Sequence, residues 1–158
     1  MSRETVEATQ RLLRGERVGV LCTVQQARKP GWPMPTLAPY ALTPGGEPIL
    51  ALSSLAQHTK NLAADARASL YVQARTEGDP QEAARIAVLG RVRSASPAEE
   101  SELRSIYLAA HPEAARFFEL DFKLYILSVE EVRYVGGFGA AAWVAGSDVA
   151  GAPGGSVR

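Results

Sequence analysis

The apolar positions of this chain gather in short runs broken by turn-forming residues. Val18–Val24, VGVLCTV, is apolar and largely β-branched, the pattern of a buried strand. QQARKPG then turns the chain, and residues 35–42 form a second extended segment, because each residue ahead of a proline is pushed out of the helical region. TPGGEP turns it again into a third strand at 48–52, and the same reading predicts strands four and five at 68–73 and 85–92. Residues 122–129 and 132–135 read as two further strands, and GFGAAAWV as one more. Helical spacing is scarcer. Val6, Leu12 and Leu13 suit a short opening helix capped by Ser2 and stopped at Gly15, and Ser96, Pro97 and Glu99 spell the start of a helix running to about Ala110. HPEAARFFEL extends that helix or adds another after the proline.

Six or more strands, few helices and short turns between successive strands predict a mainly β fold, an antiparallel barrel with peripheral helices. A doubly wound sheet needs regular alternation of strand and helix, which this order lacks. One domain is expected over residues 1–145. From Gly146 onward, GSDVAGAPGGSVR is Gly-rich and has no hydrophobic period, so residues 146–158 are expected to form a flexible tail.

Composition narrows the classes of function. At 158 residues and 46% hydrophobic the chain has the makeup of one globular domain. Its 17 basic and 17 acidic residues cancel, which argues against a broad field for nucleic acid or an anionic membrane. The opening residues lack the apolar core of a signal peptide, and no segment approaches the roughly 18 apolar residues of a membrane span, so a cytoplasmic protein is expected. Cys22 is the single cysteine, which excludes an internal disulfide framework and a zinc site of several thiolates; it reads as a buried strand thiol.

The densest candidate chemistry lies in ALSSLAQHTKNL. Ser53, Ser54, His58, Thr59, Lys60 and Asn61 crowd into nine positions, and His58 is one of two histidines. If SLAQHTKNLAA starts a helix capped by one of the serines, its free N–H groups and positive dipole end suit a phosphate. His58 and Thr59, about a turn further on, would face the same anion, and Lys60 would add a full charge. An ordinary capped helix with a polar outer face explains the same residues. Other motifs carry less. Gly137, Gly139 and Ala142 spell G-x-G-x-x-A, but no second parallel strand and distant acid follow, so these glycines mark a bend or a close backbone approach. Arg85, Arg91 and Arg93 share one face of a strand, best read as a solvated face, and His111 before Pro112 closes a helix. No G-x-S-x-G and no metal-ligand spacing is present.

The order of three motifs carries a resemblance. A strand at Val18–Val24, then Pro-x-x-x-x-Pro-Tyr, LSSLAQHTKNL and DARASL resembles the FMN-binding split-barrel family of pyridoxamine 5′-phosphate oxidases. HPEAARFFELDFKLYILSVEEVRYVGGFG is similar to its haem-utilisation branch, the HugZ type. The resemblance implies a six-stranded antiparallel split barrel, a homodimer, and a flavin or haem site at the subunit interface. It places Ser53 and Ser54 against the ribityl and phosphate of FMN and His58 and Thr59 against the phosphate, with Lys60 and Asn61 beside them. It places Thr36 and Tyr40 near the isoalloxazine, with Trp143 reaching in from the partner chain, and Asp121 near the haem pocket. Many flavin-binding members carry Lys or Arg where this chain has His58. The tail after Gly139 also lacks the histidine that ligates iron in the haem-degrading relatives. An FMN-dependent oxidoreductase is the leading expectation, with a haem-binding protein and a cofactor-free dimeric module as alternatives.

Overall fold

The computed structural model describes residues 1–151. Seven strands form one sheet: β1 Val18–Val24, β2 Pro33–Leu42, β3 Pro48–Ser53, β4 Arg67–Gln73, β5 Arg85–Ser94, β6 Phe122–Val135 and β7 Ala141–Ala145. Their order is β3-β2-β1-β4-β5-β6-β7, every pairing antiparallel, and β3 pairs again with β6. That last ladder closes six strands into a barrel and leaves β7 outside it on β6. Closure removes the open edges that a flat sheet would expose.

Two packed clusters explain the strand patterns. Leu21, Tyr40, Leu50, Leu70, Val72, Ile86, Val88 and Leu127 fill the barrel, joined by Leu12 and Leu13 of helix α1, Arg3–Gly15. Ile49, Leu124 and Ile126 face the other way and pack under helix α3, Pro97–Ala110, through Leu103 and Tyr107. Strand β3 is therefore buried on both sides, which is why it reads as an unbroken apolar run rather than an alternation.

The helix starts agree with the sequence. The Ser2 side chain accepts from the Thr5 N–H, and Ser96 with Glu99 forms a capping box behind Pro97. Arg93 pairs with Glu99 at 2.8 and 3.0 Å, and this bond, with the Ser96 N–H, lowers the Glu99 carboxyl to about 2. After α3 the chain makes a 3₁₀ turn, Pro112–Ala114, and a short helix α4, Ala115–Phe118. His111 is buried at that corner. Its Nε2–H donates to the Tyr40 carbonyl at 2.7 Å, and its ring lies 5.0 Å from that of Tyr107.

Two expectations need correction. Residues 122–135 are one strand, not two, because Glu130 sits in a bulge: Leu89 pairs with Glu131 and Gly90 with Val129. The residues from Gly146 to Gly151 are not a free tail. Helix α5, Gly146–Val149, buries Val149, and the Gln10 side chain donates to the Asp148 carbonyl at 3.0 Å. The remainder of the expected tail, 152–158, lies outside the described residues. Gly137 and Gly139, with φ of +102° and +79°, form the turn between β6 and β7 rather than a nucleotide loop.

The Tyr40 hydroxyl donates to the Leu13 carbonyl at 2.7 Å and so pins α1 to the barrel from inside. Tyr40→Phe keeps the ring and orphans that carbonyl. A loss of about 1–3 kcal/mol is expected, read as a lower urea midpoint at unchanged m and fixed protein concentration.

Candidate functional site

The polar stretch after β3 folds differently from a serine-capped helix. Helix α2 is Gln57–Ala64, its N-cap is Ala56, and no side chain caps it. The serines are engaged elsewhere. Ser53 Oγ and Ser54 Oγ donate to one oxygen of Asp121, Oδ2, at 2.7 and 2.8 Å, and the Leu55 N–H points at the same oxygen from 3.3 Å. The Ser53 bond, then that of Ser54, holds the Asp121 carboxyl below the usual carboxylate range. Long-range strand pairing sets this up. Ser53 is opposite Phe122 at the last rung of the β3–β6 ladder, so Asp121 arrives beside the serines.

The rest of the stretch turns inward. Thr59 is buried and its hydroxyl donates to the Ser53 carbonyl at 2.5 Å, tying α2 to the end of β3. Asn61 is fully buried; its amide donates to Thr23 Oγ1 at 3.1 Å and accepts from Gln57 at 2.9 Å, which fastens α2 to β1. Lys60 is exposed. His58 is half-buried, its Nε2 is shut from solvent without a partner, and burial lowers its pKa, so it is neutral at pH 7. Of the residues expected around a phosphate, the two serines face Asp121, Thr59 faces the backbone, Asn61 is buried against Thr23, Lys60 is exposed, and His58 keeps an unused nitrogen.

Thr36 and Tyr40 share a face of β2, as their spacing required, but it is the inner face. Tyr40 is 1% exposed, and Thr36 donates to the Leu21 carbonyl at 3.3 Å. Tyr40 and Asn61 are thus buried in the barrel's interior, and Thr36 is half-buried. Trp143 is on the other side. It is half exposed, stands opposite Arg133 on β6, and stacks under that guanidinium at 5.2 Å.

The register extends Trp143 into a row across the outer face: Leu37, Val20, Tyr71, Ala87, Arg133 and Trp143 lie side by side on β2, β1, β4, β5, β6 and β7. Leu37 is 73% exposed, and Tyr71 is exposed as well. Pro35, Cys22, Ser69 and Leu89 form the next row. At one end of this face a pocket of about 440 Å³ opens between β1 and β4, with Cys22, Val24, Pro33 and Leu89 as its apolar wall and Arg67 at its rim. Arg67 grips Asp65 through Nε and Nη2, at 3.0 and 2.7 Å. Its second terminal nitrogen has no partner among the described residues. Cys22 is half-buried there, so it is a pocket thiol rather than a core one. Arg91 and Arg93 pair with Glu130 and Glu99, and Arg85 donates to the Gln81 carbonyl, which accounts for the basic stripe as a solvated face.

Neither the Arg67 pocket nor the Asp121 contact stood out in the sequence. Alternation on β4 places Arg67 with Ser69 and Tyr71 on one face, a signal available only once that face is known to point outward. Among the described residues no three His, Cys, Asp or Glu converge as a metal site, and no helix is long and apolar enough to cross a membrane.

Residues 2–150 match the family described as CREG, beta-barrel. The chain is 37% identical over 138 residues to the chloroplastic heme oxygenase HOZ of Arabidopsis thaliana, covering 86% of this chain and 41% of that protein. It superposes on a heme binding protein from Mycobacterium smegmatis with a TM-score of 0.86 at 30% identity, over 94% of this chain and 61% of the other. A Clostridium acetobutylicum protein of the pyridoxinephosphate oxidase family shares the fold, with a TM-score of 0.67 at 12% identity, over 94% of this chain and 99% of that one. The chain thus spans less than two thirds of the length of its two heme-related relatives.

Proposed function

The chain belongs to the CREG β-barrel family, and on that premise we propose that it is a homodimeric haem-binding protein that carries its pigment on the outer face of the barrel. One observation carries the reading: an apolar pocket with an arginine at its rim opens on an exposed apolar sheet face. Haem is a flat apolar ring bearing two carboxylates. Val24, Pro33 and Leu89 suit the ring, the unused nitrogen of Arg67 suits a carboxylate, and Cys22 is the soft donor in the wall that iron accepts as a thiolate. His111 is spent on the Tyr40 carbonyl and is not offered as a ligand. The pocket is open on one side, and the row through Leu37, Val20 and Tyr71 is the surface on which a second copy would close it. The heme-related names of the two relatives support the same choice. A lone unpaired thiol, Cys22, supports a reducing compartment such as the cytoplasm.

A second reading keeps FMN, with its phosphate at the start of α2. It is favoured by the buried, unpartnered Nε2 of His58, an atom that a ligand would satisfy. There the flavin would carry electrons, and the barrel would orient it.

Absorption spectra of the purified protein, followed by separate titrations with haemin and FMN, test both. A Soret band on haemin addition is expected. Flavin binding without a Soret band would move the assignment to the second reading, and binding of neither would leave a cofactor-free dimeric module. Arg67→Ala is expected to weaken haemin binding by about tenfold, the loss of one charge-assisted bond. Unchanged affinity would place the carboxylates elsewhere.

A further inference from the structure

We propose that Asp121 decides which cofactors this barrel accepts, by filling with its own carboxylate the donor set at the end of β3 that a phosphate would use. The inference rests on the barrel being a cofactor site and goes beyond it to the basis of selection. Two hydroxyls and one N–H, from Ser53, Ser54 and Leu55, converge on a single point, the arrangement that binds an anion. The point is taken by Asp121 Oδ2. The occupant is fixed by the fold, because the residue preceding Phe122 is carried to the serines by the closing ladder of the barrel.

Charge makes the occupation exclusive. Among the described residues no cation pairs with Asp121. His58 does not pair with it either, and burial disfavours the charged form of that imidazole. A phosphate entering here would meet a carboxylate with no counter-ion and would have to take its three donors. Selection therefore works by repulsion: a cofactor ending in phosphate is rejected, while one whose acidic groups dock at Arg67 never meets Asp121.

The test compares FMN with riboflavin, which differs by the phosphate. Wild-type protein is expected to bind riboflavin at least as tightly as FMN. Asp121→Asn and Asp121→Ala are expected to tighten FMN at least tenfold, to leave riboflavin unchanged, and to make FMN sensitive to competing inorganic phosphate. Asp121→Asn keeps the shape and one acceptor oxygen, so it carries the comparison if the alanine variant fails to fold by circular dichroism. If neither variant folds, the wild-type ratio decides. Unaltered or weaker FMN binding in a folded variant, or a wild type that prefers FMN to riboflavin, would overturn the proposal. Haemin titrations of the same proteins report on the haem reading, so loss of that reading is distinguishable from loss of this one.

Discussion

Gly90→Ala is expected to destabilise the protein by at least about 3 kcal/mol, a large share of the stability of a domain this size. A Cβ at Gly90 would stand 1.9 Å from the Ser128 carbonyl oxygen and 3.2 Å from a Leu127 methyl. The obstacle is backbone on a paired strand, which cannot rotate aside as a side chain would. It also lies where the β5–β6 ladder changes register. Relief would have to come from opening the longest ladder of the barrel. Chemical denaturation measures the loss. Gly15→Ala is the control, since nothing lies within 4 Å of its built Cβ and it ends a helix, so its stability should be equal or slightly higher. Equal stability of the two variants would mean that the bulge is softer than its geometry implies.

The second large effect concerns the outer face. Val20 and Leu37 are cross-strand neighbours on β1 and β2, and neither contributes to the barrel core. Val20→Glu with Leu37→Glu should leave the fold and its melting nearly intact while placing four carboxylates of a symmetric pair against one another. Light scattering after gel filtration is expected to read monomer for this variant and dimer for the parent, with haemin affinity reduced in step. A variant that stays dimeric would put the subunit contact on another surface.

The strands were legible because each carried its own pattern. VGVLCTV, the proline-spaced β2 and RIAVLGRV needed no partner to be recognised, and Ser96-Pro97-Glu99 named its helix start. What failed depended on contacts between distant residues. Glu130 and Glu131 interrupt the apolar run of residues 122–135, whereas the bulge opposite Gly90 lets the strand continue through them. Gly146 looked like the start of a tail, yet its missing Cβ is what allows the chain to pass within 2.1 Å of the Val129 carbonyl oxygen, measured from where that Cβ would sit. Ser53 and Ser54 had every property of helix caps. Their real partner, Asp121, stands beyond α2, two strands and α3 in the sequence, and only the pairing of β3 with β6 brings it near. Alternation likewise put Thr36 and Tyr40 on one face of β2 and could not say that barrel closure turns that face inward.

The ladder that brings Asp121 to the serines also sets the order in which the molecule can assemble. Strands β1 to β3 pair with sequence neighbours, as do β4 with β5 and β6 with β7, whereas Ile49 meets Ile126 only after everything between them has been laid down. Contacts of such separation cost the most chain entropy and form late. Before they form, the nascent protein is an open sheet whose β3 edge, one of the most apolar segments of the chain, has no partner. Refolding at high concentration will then be a race between closing onto β6 and pairing with the same edge of another molecule.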